Sequence, residues 1–178
     1  CEVSGFNRFE IPGTARHSFL DRMLCGPVTR REGRVGLGYL LNHHGMVKGE
    51  ATVANLPASD RGPAHIWYGS AAASEFHDMD WLQQHLHDDE DVQIRSLTND
   101  QTTLVLAGPK ARDVLAACAR GDWSKDGFPW LSVRTCFVGI APATVLGVSF
   151  SGELAYEIHV PNAALYAAYL ALRDAGEP

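Results

Sequence analysis

Apolar positions along this chain switch between a helical and a strand rhythm, and the switches mark out its elements. Residues Gly13 to Leu24 place Phe19, Leu20, Met23 and Leu24 on one face, which predicts a first helix with Thr14 as N-cap. Leu37–Leu41, Met46–Val53 and Ala64–Tyr68 alternate or run apolar, with Asn42-His43-His44-Gly45 and a second Asn/Pro/Gly turn between them. They read as three antiparallel strands joined by hairpins. Ala72–Leu86 carries Phe76, Met79, Leu82 and Leu86 at spacings of three and four, which predicts a helix with that stripe turned inward. A strand pair is expected next, at Val92–Arg95 and Thr102–Leu106, then a helix over Ala111–Ala119. Strands near Val133–Val138, Thr144–Phe150 and Ala155–Val160 and a last helix over Asn162–Arg173 complete the chain. Strands outnumber helices and come in hairpins, so the fold class is α+β: largely antiparallel sheets with packed helices.

Composition narrows the function. A chain of 178 residues, 46% hydrophobic and 20% charged, is long enough for one domain with its own core. The net charge is −6 and no basic run exceeds Arg30-Arg31, which argues against nucleic acid and anionic membranes as partners. No apolar stretch approaches the ~20 residues of a membrane span, and the first residues lack a secretory signal. Cys1, Cys25, Cys118 and Cys136 form no C-x-x-C pair, so no metal site is expected. They are too few for a disulfide scaffold, and three lie in apolar contexts that suit buried free thiols. A reducing, cytoplasmic localisation is the expectation.

The common chemical motifs fail. Gly33-Arg34-Val35-Gly36-Leu37-Gly38 has its glycines in the wrong order for a dinucleotide fingerprint and leads into a strand. No phosphate-binding P-loop is present, and Gly147-Val148-Ser149-Phe150-Ser151-Gly152 misses the nucleophile elbow by one residue. His43-His44 lies in a turn and His85 and His87 at a helix end, neither at metal-ligand spacing, so all four read as surface histidines. Two carboxylates stand in unusual settings: Glu50 directly after Gly49 inside a strand, and Glu153 directly after the Ser151-Gly152 turn. On residue chemistry alone each reads as a pocket-facing acid or, more commonly, as a solvated strand-edge charge.

A resemblance carries the reading further. Val3-Ser4-Gly5, Phe19-Leu20-Asp21-Arg22-Met23, Tyr39-Leu40-Leu41-Asn42 and Gly45-Met46-Val47-Lys48-Gly49-Glu50-Ala51-Thr52-Val53 resemble the folate-dependent aminomethyltransferase family, the glycine-cleavage T-protein fold. Leu104-Val105-Leu106-Ala107-Gly108-Pro109 with the helix after it, and Ser149-Phe150-Ser151-Gly152-Glu153-Leu154-Ala155-Tyr156-Glu157-Ile158, extend the likeness over nearly the whole chain. The second of these, with Asp122-Trp123-Ser124 and Phe128-Pro129-Trp130, is most similar to the tetrahydrofolate-binding C-terminal region of dimethylglycine and sarcosine dehydrogenases.

The resemblance implies a folate-binding domain over residues 1–178, incomplete at both ends relative to the family and lacking its C-terminal β-barrel. It implies tetrahydrofolate as cofactor and one-carbon transfer, aminomethyl or methylene, in glycine or methylated-glycine catabolism. Glu153 stands where the family places the acceptor for the pterin's parallel N–H donors. Glu50 stands where the family has a catalytic carboxylate, normally Asp and one methylene shorter, near the nitrogens that take up the carbon. Tyr68, Tyr39 and Met46 fall on the same pocket wall. The implied partners are a one-carbon donor and either an FAD oxidoreductase domain or a lipoyl carrier protein, with FAD confined to a separate domain. Two alternatives follow from the same likeness: a folate-binding module of an FAD-dependent dehydrogenase, and a non-catalytic folate-binding regulator.

Overall fold

A computed structural model describes residues 1–3, 5–26 and 28–177; Ser4 of the Val3-Ser4-Gly5 motif and the terminal Pro178 lie outside the described residues. The chain divides into two compact units, Gly5–Thr98 and a second made of Cys1–Ser4 with Asn99–Pro178.

The first unit contains β1 (Asn7–Pro12), α1 (Arg16–Met23), β2 (Leu24–Cys25), β3 (Arg34–Leu41), β4 (Val47–Leu56), β5 (His65–Ser70), α2 (Glu75–Gln84) and β6 (Arg95–Ser96). Its six strands form one antiparallel sheet in the order β2-β3-β4-β5-β1-β6. Period-two alternation sends Ala51 and Val53 of β4, Ile66 and Tyr68 of β5, and Phe9 and Ile11 of β1 to one face. Phe19 and Leu20 of α1 and Leu82 of α2 close over them, all three fully buried. The three expected hairpin strands are β3, β4 and β5, paired antiparallel in that order.

Several local expectations are corrected. Helix α1 starts at Arg16 rather than near Thr14, and its N-cap residue, Ala15, makes no side-chain cap. Thr14 is spent elsewhere: its N–H and hydroxyl both donate to the Asp91 carboxylate at 2.8 Å. Those two bonds hold the Asp91 carboxyl below its usual range. The segments expected as a strand pair do not pair with each other. Thr102–Leu106 becomes strand in the second unit, whereas of Val92–Arg95 only Arg95 does, together with Ser96, opposite Glu10 and Phe9 on the edge of β1. Met79 and Leu82 of α2, and Leu86 just beyond it, face the core as expected, but the stripe is wrong at one end and omits a buried acid. Phe76 is 83% exposed, whereas Asp78 and Leu82, four residues apart, are fully buried.

The second unit contains β7 (Gln101–Ala107), α3 (Ala111–Cys118), β8 (Val133–Val138), β9 (Ala141–Leu146), β10 (Ala155–Pro161) and α4 (Leu165–Gly176). Its four strands are antiparallel in the order β7-β10-β9-β8. The N-terminal residues add to β7: the Val3 N–H donates to the Thr103 carbonyl (3.0 Å), and the Val105 N–H to that of Cys1 (2.7 Å). The core gathers Leu115 of α3, Trp123, Phe128, Val145 of β9, Tyr156 and Ile158 of β10, and Ala168 of α4. The loop over residues 121–130 is pinned from beneath by two guanidiniums. Arg134 donates to the Asp122 carbonyl (2.7 Å) and the Gly127 carbonyl (3.0 Å), and Arg112 to that of Trp123.

All four cysteines are free, but the expectation of three buried thiols holds for one: Cys136 is buried, Cys118 half-buried, and Cys1 and Cys25 exposed. Cys25 sits on the two-residue edge strand β2 and faces outward. Burial pushes the Cys118 thiol up from its ordinary pKa. Among the described residues, no helix is long and apolar enough to cross a membrane.

Candidate functional site

In the first unit the β3–β4 hairpin carries three of the five sequence-predicted residues. Its turn is set by Asn42, whose side-chain oxygen accepts the N–H groups of His44 (2.9 Å) and Met46 (3.0 Å), and by Gly45 at φ +74°, a left-handed conformation that disfavours any Cβ. Tyr39 and Glu50 are directly opposed across the two strands, so their side chains share a sheet face. That face is open: Tyr39 is 42% exposed, its neighbour Leu37 57%, and Glu50 is exposed as well. Met46 lies in the turn and is 65% exposed. Glu50 and the Tyr39 hydroxyl have no hydrogen bond or ion pair among the described residues, so both remain available to a ligand.

Tyr68 sits differently. It is fully buried, its ring stacks on Phe9 with centroids 5.6 Å apart, and its hydroxyl donates to Asp78 Oδ2 at 3.2 Å. Burial first, and the Asp78 charge second, raise the Tyr68 pKa far above its ordinary value. Ser70 also donates to Asp78 Oδ2 through a short hydrogen bond, and His77 Nδ1 lies 3.1 Å from Oδ1. Asp78 is thus a fully buried carboxylate with three polar neighbours, and sequence reasoning did not single it out. The available signal was its spacing of four from Leu82, which puts both on one helix face. A Cβ placed on Gly49 would stand 3.8 Å from Asp78 Oδ1, so this carboxylate backs the strand one residue before Glu50. Alternation along β4 sends Glu50 to the opposite face.

Glu153 belongs to the second unit, on the segment between β9 and β10. Gly152 before it has φ +83° with open space where a Cβ would point, so glycine is needed for conformation rather than for room. Glu153 is exposed, and Phe150 three residues earlier is completely exposed. Like Glu50, Glu153 has no partner among the described residues. The Gly108 N–H donates to the Leu154 carbonyl at 2.9 Å and ties the loop's end to the turn after β7. Among the described residues no three His, Cys, Asp or Glu side chains are placed to hold a metal ion.

The fold and its two uncommitted carboxylates define an α+β domain of antiparallel sheets that presents acids from a hairpin and from a loop. The profile of the GCVT N-terminal domain family matches residues 1–178, and the chain belongs to that family. It is 30% identical over 177 residues to mitochondrial dimethylglycine dehydrogenase of Rattus norvegicus, an alignment covering 99% of this chain and 20% of that protein. The chain therefore spans about a fifth of the length of that relative. Among solved structures it matches the glycine cleavage system aminomethyltransferase T of Bartonella henselae with a TM-score of 0.75. That match has 19% identity and covers 96% of this chain and 44% of that one. It also matches heterotetrameric sarcosine oxidase from Corynebacterium sp. U-96 with a TM-score of 0.74 and 20% identity, covering 98% of this chain and 80% of that one.

Proposed function

We propose that this chain binds tetrahydrofolate and holds it for one-carbon transfer in glycine or methylated-glycine catabolism. The observation that carries the reading is the family match over all of residues 1–178, which includes both glycine-preceded carboxylates. Glu153 accepts the pterin's paired N–H donors. An exposed carboxylate with no partner among the described residues is suited to that task, because it gives up only water to form a charge-assisted pair. Glu50 supplies negative charge where positive charge develops during transfer, and Tyr39 and Met46 line the same hairpin surface. Tyr68 contributes from behind, by holding Asp78 against β4. When bound, the folate supplies the nitrogens that accept the carbon; the protein's part is position and charge.

An FAD oxidoreductase domain is the proposed source of the carbon. Dimethylglycine dehydrogenase, of which the chain covers a fifth, and the heterotetrameric sarcosine oxidase favour this source over a lipoyl carrier protein. Calorimetric titration with tetrahydrofolate under reducing conditions tests the proposal. Glu153→Ala is expected to weaken binding at least tenfold, and Glu50→Ala to change affinity little while lowering the transfer rate. Equal affinity in wild type and Glu153→Ala, both folded, overturns the pterin assignment.

A further inference from the structure

Away from Glu50 and Glu153, the first unit holds a cavity of about 340 Å³ between the end of α1, the β3–β4 turn and the end of α2. Its walls include Arg22, Asn42, His43, Trp81, His85 and His87. The volume lies at the lower end of the ~300–1,000 Å³ typical of small-molecule sites. Three rings cluster in its wall. Trp81 and His85 have centroids 4.3 Å apart at 46°, His43 and Trp81 5.6 Å at 53°, and His43 and His85 6.1 Å at 41°. These contacts leave no room between the rings, so a planar ligand lies against the cavity side of the cluster.

The polar groups are mostly donors. His85 Nδ1 donates to the Trp81 carbonyl at 2.7 Å, which leaves Nε2 directed elsewhere and unspent. Asn42 uses its oxygen in the turn, so its amide N–H₂ is unspent among the described residues. The rings of His43 and His87 make no hydrogen bond among the described residues. The Lys48 ammonium stands 4.3 Å from the centre of the Trp81 ring, which places a fixed cation beside the aromatic surface. Arg22 adds no free charge, because Glu90 takes both of its terminal nitrogens at 2.7 Å. The same pairing silences the nearest acid, since Glu90 also accepts the His87 N–H at 3.0 Å.

We infer that this cavity is a binding site for a small planar carboxylate, with its ring against the Trp81–His43–His85 cluster and its carboxylate toward Lys48 and the Asn42 amide. A neutral ring would use the aromatic cluster and leave the cation unpaired. A carboxylate without a ring would meet only half-solvated donors, which alone bind weakly. The two halves together set the ligand class, and the site stands apart from the folate reading.

Benzoate is the test ligand, with benzamide (ring without charge) and acetate (charge without ring) as controls. Binding is followed through the imidazole proton resonances of His43 and His85 in the full chain. Benzoate is expected to shift both resonances saturably, with benzamide and acetate at least tenfold weaker. Lys48→Gln, at a half-buried position of β4, is expected to weaken benzoate about tenfold and leave benzamide unchanged. Trp81→Leu is expected to weaken both ring compounds. No saturable shift with benzoate in the folded wild type, or equal benzoate affinity in wild type and Lys48→Gln, overturns the assignment.

Discussion

Replacing Tyr68 with Phe removes one oxygen from the most polar part of an otherwise apolar core, and the cost can be worked from its surroundings. The hydroxyl donates to Asp78 Oδ2 at 3.2 Å, and Asp78 is fully buried, so no water can replace the lost donor. A hydrogen bond to a charged acceptor contributes ~1.5–3 kcal/mol, offset in part because the phenol no longer has to be desolvated. Ser70 keeps its bond to the same oxygen, and the ring keeps its stacking on Phe9, so no large cavity opens. The expected net loss is about 1–2 kcal/mol. With a urea slope of ~1.5 kcal/mol/M, the unfolding midpoint falls by roughly 1 M. The assay is urea unfolding of the wild type, Tyr68→Phe, Asp78→Asn and the double variant, followed by circular dichroism. The bond is specific only if the Tyr68→Phe penalty shrinks in the Asp78→Asn background by more than the ~0.5 kcal/mol scatter of independent sites. An unchanged midpoint, or equal penalties in both backgrounds, refutes the assignment of Tyr68 to Asp78.

Three further outcomes follow from single interactions. The Tyr68 pKa is raised in the folded chain, so its contribution is whole below the unfolded tyrosine value of ~10 and is lost as pH rises above it; stability measured from pH 9 upward should fall less steeply in Tyr68→Phe than in wild type. Glu90 is held at about 2, mainly by its hydrogen bonds to Arg22, so that contribution is present above the unfolded carboxylate value of ~4.3 and is lost as pH falls toward 2; Glu90→Gln should flatten the acid limb of the stability profile and leave the neutral-to-alkaline limb unchanged. Gly13 has φ +120°, and a Cβ there would press on the Asp91 carbonyl and stand 2.9 Å from Val92 Cα; Gly13→Ala is expected to cost at least ~2 kcal/mol in thermal unfolding, and a cost below ~0.5 kcal/mol would refute the claimed close approach.

The strands were legible because hairpins write themselves locally. In the β3–β4 pair the alternation of buried and exposed residues and the Asn42–Gly45 turn residues all lie within 23 residues of chain, Arg34 to Leu56. The failures share a cause: a partner distant in sequence. Thr14 is a good N-cap by type, but Asp91, 77 residues away, takes both of its donors and the helix starts later. Val92–Arg95 looks like a strand, yet only Arg95 and Ser96 pair in register with β1, while Gln93 and Leu97 touch it through single bonds to the Pro12 and Arg8 carbonyls.

The same distinction governs the candidate sites. Glu50 and Glu153 were visible because a glycine beside a carboxylate is a local mark, and both are without partners among the described residues. Asp78 was not, because its meaning depends on Tyr68 and Ser70 of β5 and on the backbone at Gly49, which sequence spacing cannot assemble. The stripe of Phe76, Met79, Leu82 and Leu86 found the inward face of α2 except at Phe76, but it passed over Asp78, since apolar counting gives a carboxylate no credit for burial. Two hydroxyls and an imidazole make that burial tolerable, and together they lie behind β4 at the residue before Glu50. If Glu50 acts in transfer, Asp78→Asn should therefore slow it through loosening of β4 with little effect on tetrahydrofolate affinity, whereas Glu153→Ala should weaken affinity at once. A loss of affinity in Asp78→Asn as large as that in Glu153→Ala would mean that Asp78 maintains the folate site as a whole rather than the position of Glu50.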